Sequence, residues 1–463
     1  MALRPPGPHA TAWVLAETAA SAGFSLVSLL VIARIIGPHE AGPGALAIAA
    51  FLLADVAGGL LFTDALVQRR ALEPRHLGSA LTVSALVGMA AAAGLLGLAP
   101  LLPLSAVAGA ASGYAMRGQR YRLLALRMLV GQPIALAAAL AAAAGGLGAW
   151  AMVVNQAIAT LLVFLMFLLA ERAPLCPALD RAALADLWPV ALRQLAAVVL
   201  IVGKYRLFVI ALGLLLAERA LAQARIAFRM VDAAMFVVWG AVARIAMPRL
   251  CAVQHDREAL ARRYGETAQL PSLIGLPLAL GVALMAEDLI AALLGPAWAD
   301  AAEAARVVAL AAFLTFLHGD PFSLIVALGR ARWNAWVALA NLAVPLVAPV
   351  LLRPATPAGA ALTWAAQGLL VTLVVAALVP RELGRSPAWL LRHAAPGVVA
   401  GAAMVAAVLG VQGAMAEAAP LARLLAAVCL GAATFLSVAW LALGRRLPAV
   451  LAGQGAAQPA AAA

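Results

Sequence analysis

Residues 187–216 read LWPVALRQLAAVVLIVGKYRLFVIALGLLL, and residues 222–248 read AQARIAFRMVDAAMFVVWGAVARIAMP. Each stretch exceeds the roughly 20 apolar residues that cross a bilayer, so both are predicted to be membrane-spanning. Yet Arg193, Lys204, Arg206, Arg225, Arg229 and Arg244 lie inside them, with Asp232 the only acid. A cation at the centre of a lipid-facing helix costs roughly 2.5–3.5 kcal/mol on insertion scales, so several together must face water or partners rather than hydrocarbon. Arg225, Arg229 and Asp232 follow i, i+4, i+7 spacing and share one helical face, which Phe236 continues. One aspartate neutralises one arginine, and the surplus charge suits an anionic ligand in a wet cavity. For any single cation a backbone carbonyl, a helix end or a lipid phosphate is an equal explanation. For the group the cavity is the better one, because snorkelling rescues residues near helix ends and not those in mid-span.

The rest of the chain is of the same kind. Hydrophobic residues make up 65% and charged residues 11%, against about 45–50% and 25% in soluble proteins. The expected fold is an all-α polytopic membrane protein of about 14 transmembrane helices. The spans fall at residues 11–33, 41–66, 77–99, 101–116, 123–145, 147–170, 187–216, 221–247, 268–286, 302–328, 333–352, 358–379, 394–411 and 421–443. The connections are short, which leaves no room for a soluble catalytic domain. Nothing resembles a phosphate-binding glycine loop, a zinc-binding HExxH or a GxSxG nucleophile turn, so no catalytic residue and no metal site is expected. Cys176, Cys251 and Cys429 lie far apart without metal or redox spacing. The basic balance of +12 has no run of cations interleaved with aromatics, so no nucleic-acid partner is expected.

The 32 basic residues are distributed unevenly over the connections. One alternating set carries 21 of them, from Arg4, Arg69 and Arg70 through Arg117, Arg120, Arg122 and Arg127 to Arg445 and Arg446. The other set carries five, at Arg34, Arg219, Arg306, Arg353 and Arg423, and the opening pair of spans holds the remaining six. Cytoplasmic connections are the basic ones, which places both termini in the cytoplasm and favours an even number of spans. A weak repeat accompanies this pattern. Arg34-Ile-Ile-Gly37 recurs loosely around Arg206 to Gly213, and Met116-Arg-Gly-Gln-Arg120-Tyr121 in Gly329-Arg-Ala-Arg332-Trp333. Two six-helix bundles are therefore expected, at residues 1–171 and 172–385, then two additional helices at 386–445 and a disordered cytoplasmic tail at 446–463.

Other residues stand out. Glu17, Asp55, Asp64 and Asp320 are acids placed within spans. Asp55, Asp232 and Asp320 are candidates for charge pairing or for coupling to an ion, with pairing the plainer reading for Asp55. His318-Gly319-Asp320-Pro321 interrupts the tenth span: Pro321 cannot donate a main-chain hydrogen bond and Gly319 loosens the helix, so a kink or hinge is expected there. His318 with Asp320 suits a proton site, although an intramembrane histidine is more often simply hydrogen-bonded. Trp150, Trp188, Trp298, Trp333 and Trp389 sit at span edges, as in an interfacial belt. Residues 256–263 read as an amphipathic surface helix.

Six segments carry a resemblance. They are ARIIGPHEAGPGALAIA (33–49), DALVQRRALEPRHLGSA (64–80), AMRGQRYRLLAL (115–126), GGLGAWAMVVNQ (145–156), MPRLCAVQHDREALARRY (247–264) and LLGPAWADAA (293–302). Their order and spacing resemble the Wzx-type O-antigen and exopolysaccharide flippases, the polysaccharide transporter family of the multidrug/oligosaccharidyl-lipid/polysaccharide (MOP) exporter superfamily. The resemblance implies a V-shaped, MATE-like pair of bundles working by alternating access. It implies a flippase rather than an enzyme, carrying an undecaprenyl-diphosphate-linked oligosaccharide from the cytoplasmic to the periplasmic leaflet as a monomer among membrane lipids. Polysaccharide polymerase and glycosyltransferases would be its neighbours, and it needs no cofactor beyond a coupling ion, H+ or Na+. Arg34, Lys204, Arg206, Arg225 and Arg229 become the expected substrate-binding cations, since guanidinium forks suit phosphate oxygens. In one respect the sequence departs from the family: Lys204-Tyr205-Arg206 stands where relatives commonly have an acid before the arginine, which puts coupling through that acid in doubt. A peptidoglycan-precursor or drug exporter of the same superfamily is the nearest alternative, and a membrane glycosyltransferase or polymerase is the alternative of another class. The short outer connections count against a polymerase.

Overall fold

The computed structural model describes residues 8–69, 72–92, 100–170, 178–198 and 203–446. Among these residues the chain forms sixteen α-helices and no strand. Hydrocarbon offers main-chain N–H and C=O groups no partner, and a helix satisfies them within one segment. Eight helices are long and apolar enough to cross a membrane, and the chain is a multi-pass membrane protein. The expected tail from residue 447 onward, and Cys176, Arg4, Arg70 and Arg172, lie outside the described residues.

Each of the fourteen predicted spans lies over a helix, though not one to one. α1 (Pro8–Gly59) carries the first two spans, and α2 (Thr63–Gln68) completes the second. α3 (Pro74–Ala92), α4 (Leu101–Arg117), α5 (Tyr121–Ala144) and α6 (Trp150–Ala170) follow. The seventh span is shared by α7 (Arg181–Val198) and α8 (Lys204–Gly213). After α9 (Glu218–Cys251) and α10 (Arg257–Leu293), the tenth is divided between α11 (Asp300–Thr315) and α12 (Pro321–Ala327). α13 (Ala331–Leu352), α14 (Pro357–Leu383), α15 (Pro387–Ala414) and α16 (Pro420–Ala442) complete the order.

Local chemistry sets several of these joints. Gly37, inside α1, has φ 78° and ψ 169°, and Gly295 before Pro296 has φ 91° and ψ 177°. That region is essentially glycine-only, and the extended ψ is what a following proline demands. One helix-ending turn recurs along the chain, after α4, α5, α12 and α16. Gly118, Gln119 and Arg120 donate to carbonyls four, three and five residues back, and Leu328, Gly329 and Arg330 do the same. Gln119 (φ 54°) and Gly329 (φ 68°) hold the left-handed position.

The chain divides between Ala222 and Gln223 into two compact units. In the first, the start of α7 packs Leu187 and Ala191 onto Leu61, Phe62, Leu66, Leu77 and Leu81. Outside the spans, Asp180 precedes α7 and accepts from the Ala182 and Ala183 amides at 2.8 and 3.2 Å, with Arg75 at 3.3 Å. The two amides first, and Arg75 after them, hold its carboxyl below the ordinary 3.8. Its hold on α7 is thus present above that value and is lost as the pH falls through the lowered one. In the second unit α15 and α16 share a core with α10, in which Met404, Val408, Leu424 and Phe435 surround Met285. Arg423 of α16 donates through Nε to the buried Asp288 of α10 at 2.8 Å.

Two expectations need correction. Residues 256–263 are no separate surface helix: Asp256 caps α10, accepting from the Glu258 and Ala259 amides at 2.9 and 3.0 Å, and the helix runs from there into the ninth span. Trp298 is fully buried rather than interfacial, because the turn after Gly295 folds it inward.

Close helix contact in the first unit depends on missing side chains. Thr63 Oγ1 donates to the Gly59 and Gly109 carbonyls at 3.1 and 3.2 Å, and a methyl on Gly109 would fall on the Gly59 carbonyl. Small residues let membrane helices approach in this way. Gly109→Ala is therefore expected to destabilise the first unit by about 1–3 kcal/mol, the usual cost of overpacking, read as a lower unfolding temperature in detergent. An unchanged temperature would show that α1 and α4 can separate freely.

Candidate functional site

The expected site residues fall into both units. In the first, Arg34 is exposed on α1, while Lys204 and Arg206 open α8 and are half-buried. Arg206 donates through Nη1 to the Leu52 carbonyl of α1. One turn further along α1 is Asp55, which lies close to Ser105 of α4 and within reach of the charge of Arg206; its Oδ1 is buried without a hydrogen-bond partner. The structure thus brings Asp55 beside Arg206. Arg193 is exposed and turns back onto the Pro189 carbonyl of its own helix at 2.8 Å.

A second polar group in this unit escaped the sequence reading. Arg127, counted there among the connection cations, lies within α5. It donates to Glu17 Oε1 of α1 and to Ser112 Oγ of α4, both at 2.9 Å, and both partners in the ion pair are largely shielded. The available signal was Glu17 itself, since an acid in an apolar span requires a partner.

In the second unit α9 is one unbroken helix from Glu218 to Cys251, so the i, i+4, i+7 spacing holds in three dimensions. One face is packed: Phe228 meets Trp364 with ring centroids 5.9 Å apart, and Trp239 stacks on Phe316 at 5.6 Å. Arg225, Arg229 and Asp232 occupy a less buried stripe that ends at Phe236, 64% exposed. The side chain of Arg244 lies outside the described residues.

The tenth span is broken where His318-Gly319-Asp320-Pro321 stands. Gly319 takes φ 77°, and Pro321 is the first residue of α12. Asp320 caps that helix, accepting from the Phe322 and Ser323 amides at 3.1 and 3.3 Å and from Ser323 Oγ at 2.5 Å. The fully buried Tyr264 of α10 donates its hydroxyl to the His318 carbonyl at 2.6 Å. Asp320 is thereby committed as a helix cap. Among the described residues no cluster of three or more histidine, cysteine or acidic side chains is placed to hold a metal ion.

Known proteins agree with this architecture. Residues 98–303 match the family described as "Polysaccharide biosynthesis protein". None of the curated proteins matches the chain in sequence. Among solved structures, the lipid II flippase MurJ in an inward closed conformation aligns with a TM-score of 0.68 at 11% identity, covering 93% of this chain and 99% of that one. An inward-facing multidrug resistance MATE family transporter of the MOP superfamily aligns with a TM-score of 0.63 at 13% identity, covering 81% and 98%. The chain has the fold of these MOP exporters, and its middle is similar to polysaccharide biosynthesis proteins.

The break is held partly by one hydroxyl. Tyr264→Phe removes the donor to the His318 carbonyl and is expected to cost about 1–3 kcal/mol, the penalty for a buried acceptor left unpaired. Thermal unfolding in detergent measures it; no change would mean that other groups hold the His318 carbonyl.

Proposed function

We propose that this chain is a flippase that moves an undecaprenyl-diphosphate-linked oligosaccharide from the cytoplasmic to the periplasmic leaflet of a bacterial inner membrane, for surface polysaccharide assembly. The observation that carries this reading is the cationic stripe of Arg225 and Arg229 on a helix of an MOP-type exporter fold, in a chain whose residues 98–303 match polysaccharide biosynthesis proteins. A diphosphate offers several oxygens to guanidinium forks, and a mid-membrane site of positive charge favours such a headgroup over a cationic drug. Lys204, Arg206 and Arg34 supply further positive charge in the first unit, where Asp55 tempers it, as Asp232 does on α9 in the second. Alternating access in a monomer requires only that the two units move as bodies, with Gly319 and Pro321 as the flexible point within the second. No chemistry is performed on the sugar; the protein acts as a transporter driven by H+ or Na+, beside the glycosyltransferases and polymerase that make and extend the glycan.

The test is complementation of a strain deleted for this gene. The double variant Arg225→Ala/Arg229→Ala is expected to reduce surface polysaccharide at least about tenfold, the effect of losing roughly 1.4 kcal/mol of transition-state stabilisation, while membrane levels of the protein stay unchanged. Full export by the double variant would refute the stripe as the headgroup site. Cell lysis on deletion, with the surface polysaccharide intact, would instead point to a peptidoglycan precursor as cargo.

A further inference from the structure

The joint between α11 and α12 contains a polar atom that the structure leaves unused. His318 is 4% exposed. Its Nδ1 lies 3.2 Å from the Gly319 carbonyl oxygen, which only accepts, so Nδ1 carries the proton of the neutral ring and Nε2 keeps a lone pair. That Nε2 is buried without a hydrogen-bond partner. Histidine is the side chain whose charge changes most readily near neutral pH. Here it stands at a break in a helix, where the main chain is held by the Tyr264 hydroxyl and the Asp320 cap.

We propose that His318 Nε2 is the site at which this protein takes up a proton, and that uptake loosens the joint between α11 and α12. A proton on Nε2 turns it into a charged donor with no acceptor in this packing, so the packing shown binds the proton poorly. A conformation in which Nε2 meets water or an acceptor binds it better. A ligand shifts an equilibrium by its differential affinity for the two states, and the proton is such a ligand. Lowering the pH therefore depopulates the packing shown. The joint is where the chain can respond, since Gly319 already holds a left-handed φ and Pro321 cannot extend a ladder across it.

The surrounding groups leave His318 as the proton acceptor. On its own connection, Asp320 is engaged by two amides and a hydroxyl. From α10 come Tyr264, donating to the His318 carbonyl, and the Arg263–Glu266 ion pair at 3.0 Å. α15 brings His393 against Gly265, with its Nδ1 2.8 Å from the Trp389 carbonyl. α14, packed on α11, has no ionisable residue between Pro357 and Pro380. α9 presents Trp239 to Phe316, and its nearest ionisable residues with described side chains are Asp232 and Arg249, about two and three turns away.

The purpose of such a site, driving an exporter's cycle, rests on the function proposed above; the proton site itself is tested without substrate. Amide hydrogen exchange of the purified full-length protein in nanodiscs, corrected for the intrinsic pH dependence, reads the opening of the peptide spanning Phe316 to Ser323. Opening should rise as the pH falls from 8 to 5, by up to about tenfold per pH unit, the limit for one proton. His318→Asn keeps a donor for the Gly319 carbonyl and cannot take the proton, so it should flatten the rise, whereas Asp320→Asn should retain it. A flat wild-type profile, or a rise that survives in His318→Asn, overturns the proposal. Hydrogen exchange at the His318 ring carbon measures its titration in the wild type without any variant. A ring titration that tracks the opening supports the site, and one that does not refutes it. Failure of the polysaccharide assay with success here would leave a proton switch in a transporter of other cargo.

Discussion

A guanidinium set into an apolar helix must meet an acceptor or water, and how that demand is met organises this protein. Arg127 meets it with Glu17 and Ser112, joining three helices of the first unit. Arg117 meets it with the Leu66 and Val67 carbonyls, capping α2 from α4. Arg257 donates to the Arg381 and Glu382 carbonyls at 3.0 and 2.8 Å and so closes the end of α14 from the start of α10. Arg423 is matched by the buried Asp288. In each case the guanidinium's donors are taken up by carbonyls at a helix end or by a side-chain oxygen of a neighbouring helix. Arg225 and Arg229 lie on the less buried stripe of α9, about two and three turns in from its start.

Where charge is not the connector, the absence of side chains is. Lipid tails are as apolar as leucine, so membrane helices gain from close packing rather than from leaving water. Gly109 and Gly59 allow α4 onto α1, and a methyl on Gly397 of α15 would lie 2.7 Å from the Ser272 carbonyl of α10. The abundant alanine of this chain serves the same purpose: Ala106, Ala110, Ala111 and Ala115 are all buried along α4.

Much of the fold was legible because hydropathy reports what each segment must bury or expose to lipid. The placement of the spans, the joint at Gly37 and the interruption at Gly319 follow from apolar runs, glycine and proline, and these act locally. What the sequence hid depends on relations between distant segments. Nothing near Arg127 reveals that Glu17 faces it, so it was grouped with connection cations. The continuity of α10 was hidden because the polar residues 256–263 resemble an interface helix, whereas Asp256 is a cap and the turns after it lead straight into the span. Trp298 carries the composition of an interfacial residue, yet the glycine before it turns it inward. For the candidate site, the arginine spacing was readable from helical periodicity alone. The approach of Asp55 to Ser105 and Arg206 was not, because it requires α1, α4 and α8 to meet.

Two helices that end in the same turn differ in how they are held. The turn at Gln119 and the turn at Gly329 repeat the same three main-chain hydrogen bonds, so the exit from α4 and the exit from α12 have one geometry. The helices leading into them differ. α4 is unbroken and dense with small residues, fitted to α1 by glycine contact. The tenth span, in the second unit, is cut in two, with Phe316 seated against Gly275, Tyr264 on the His318 carbonyl and Asp320 capping the shorter piece. A helix that packs through glycine along its length has one arrangement of low energy, since any slide loses the close contacts. A helix cut by glycine and proline and tied by a few polar bonds has a second arrangement within reach, because those bonds can be exchanged for others. The contrast assigns rigidity to α4 and adaptability to the joint between α11 and α12.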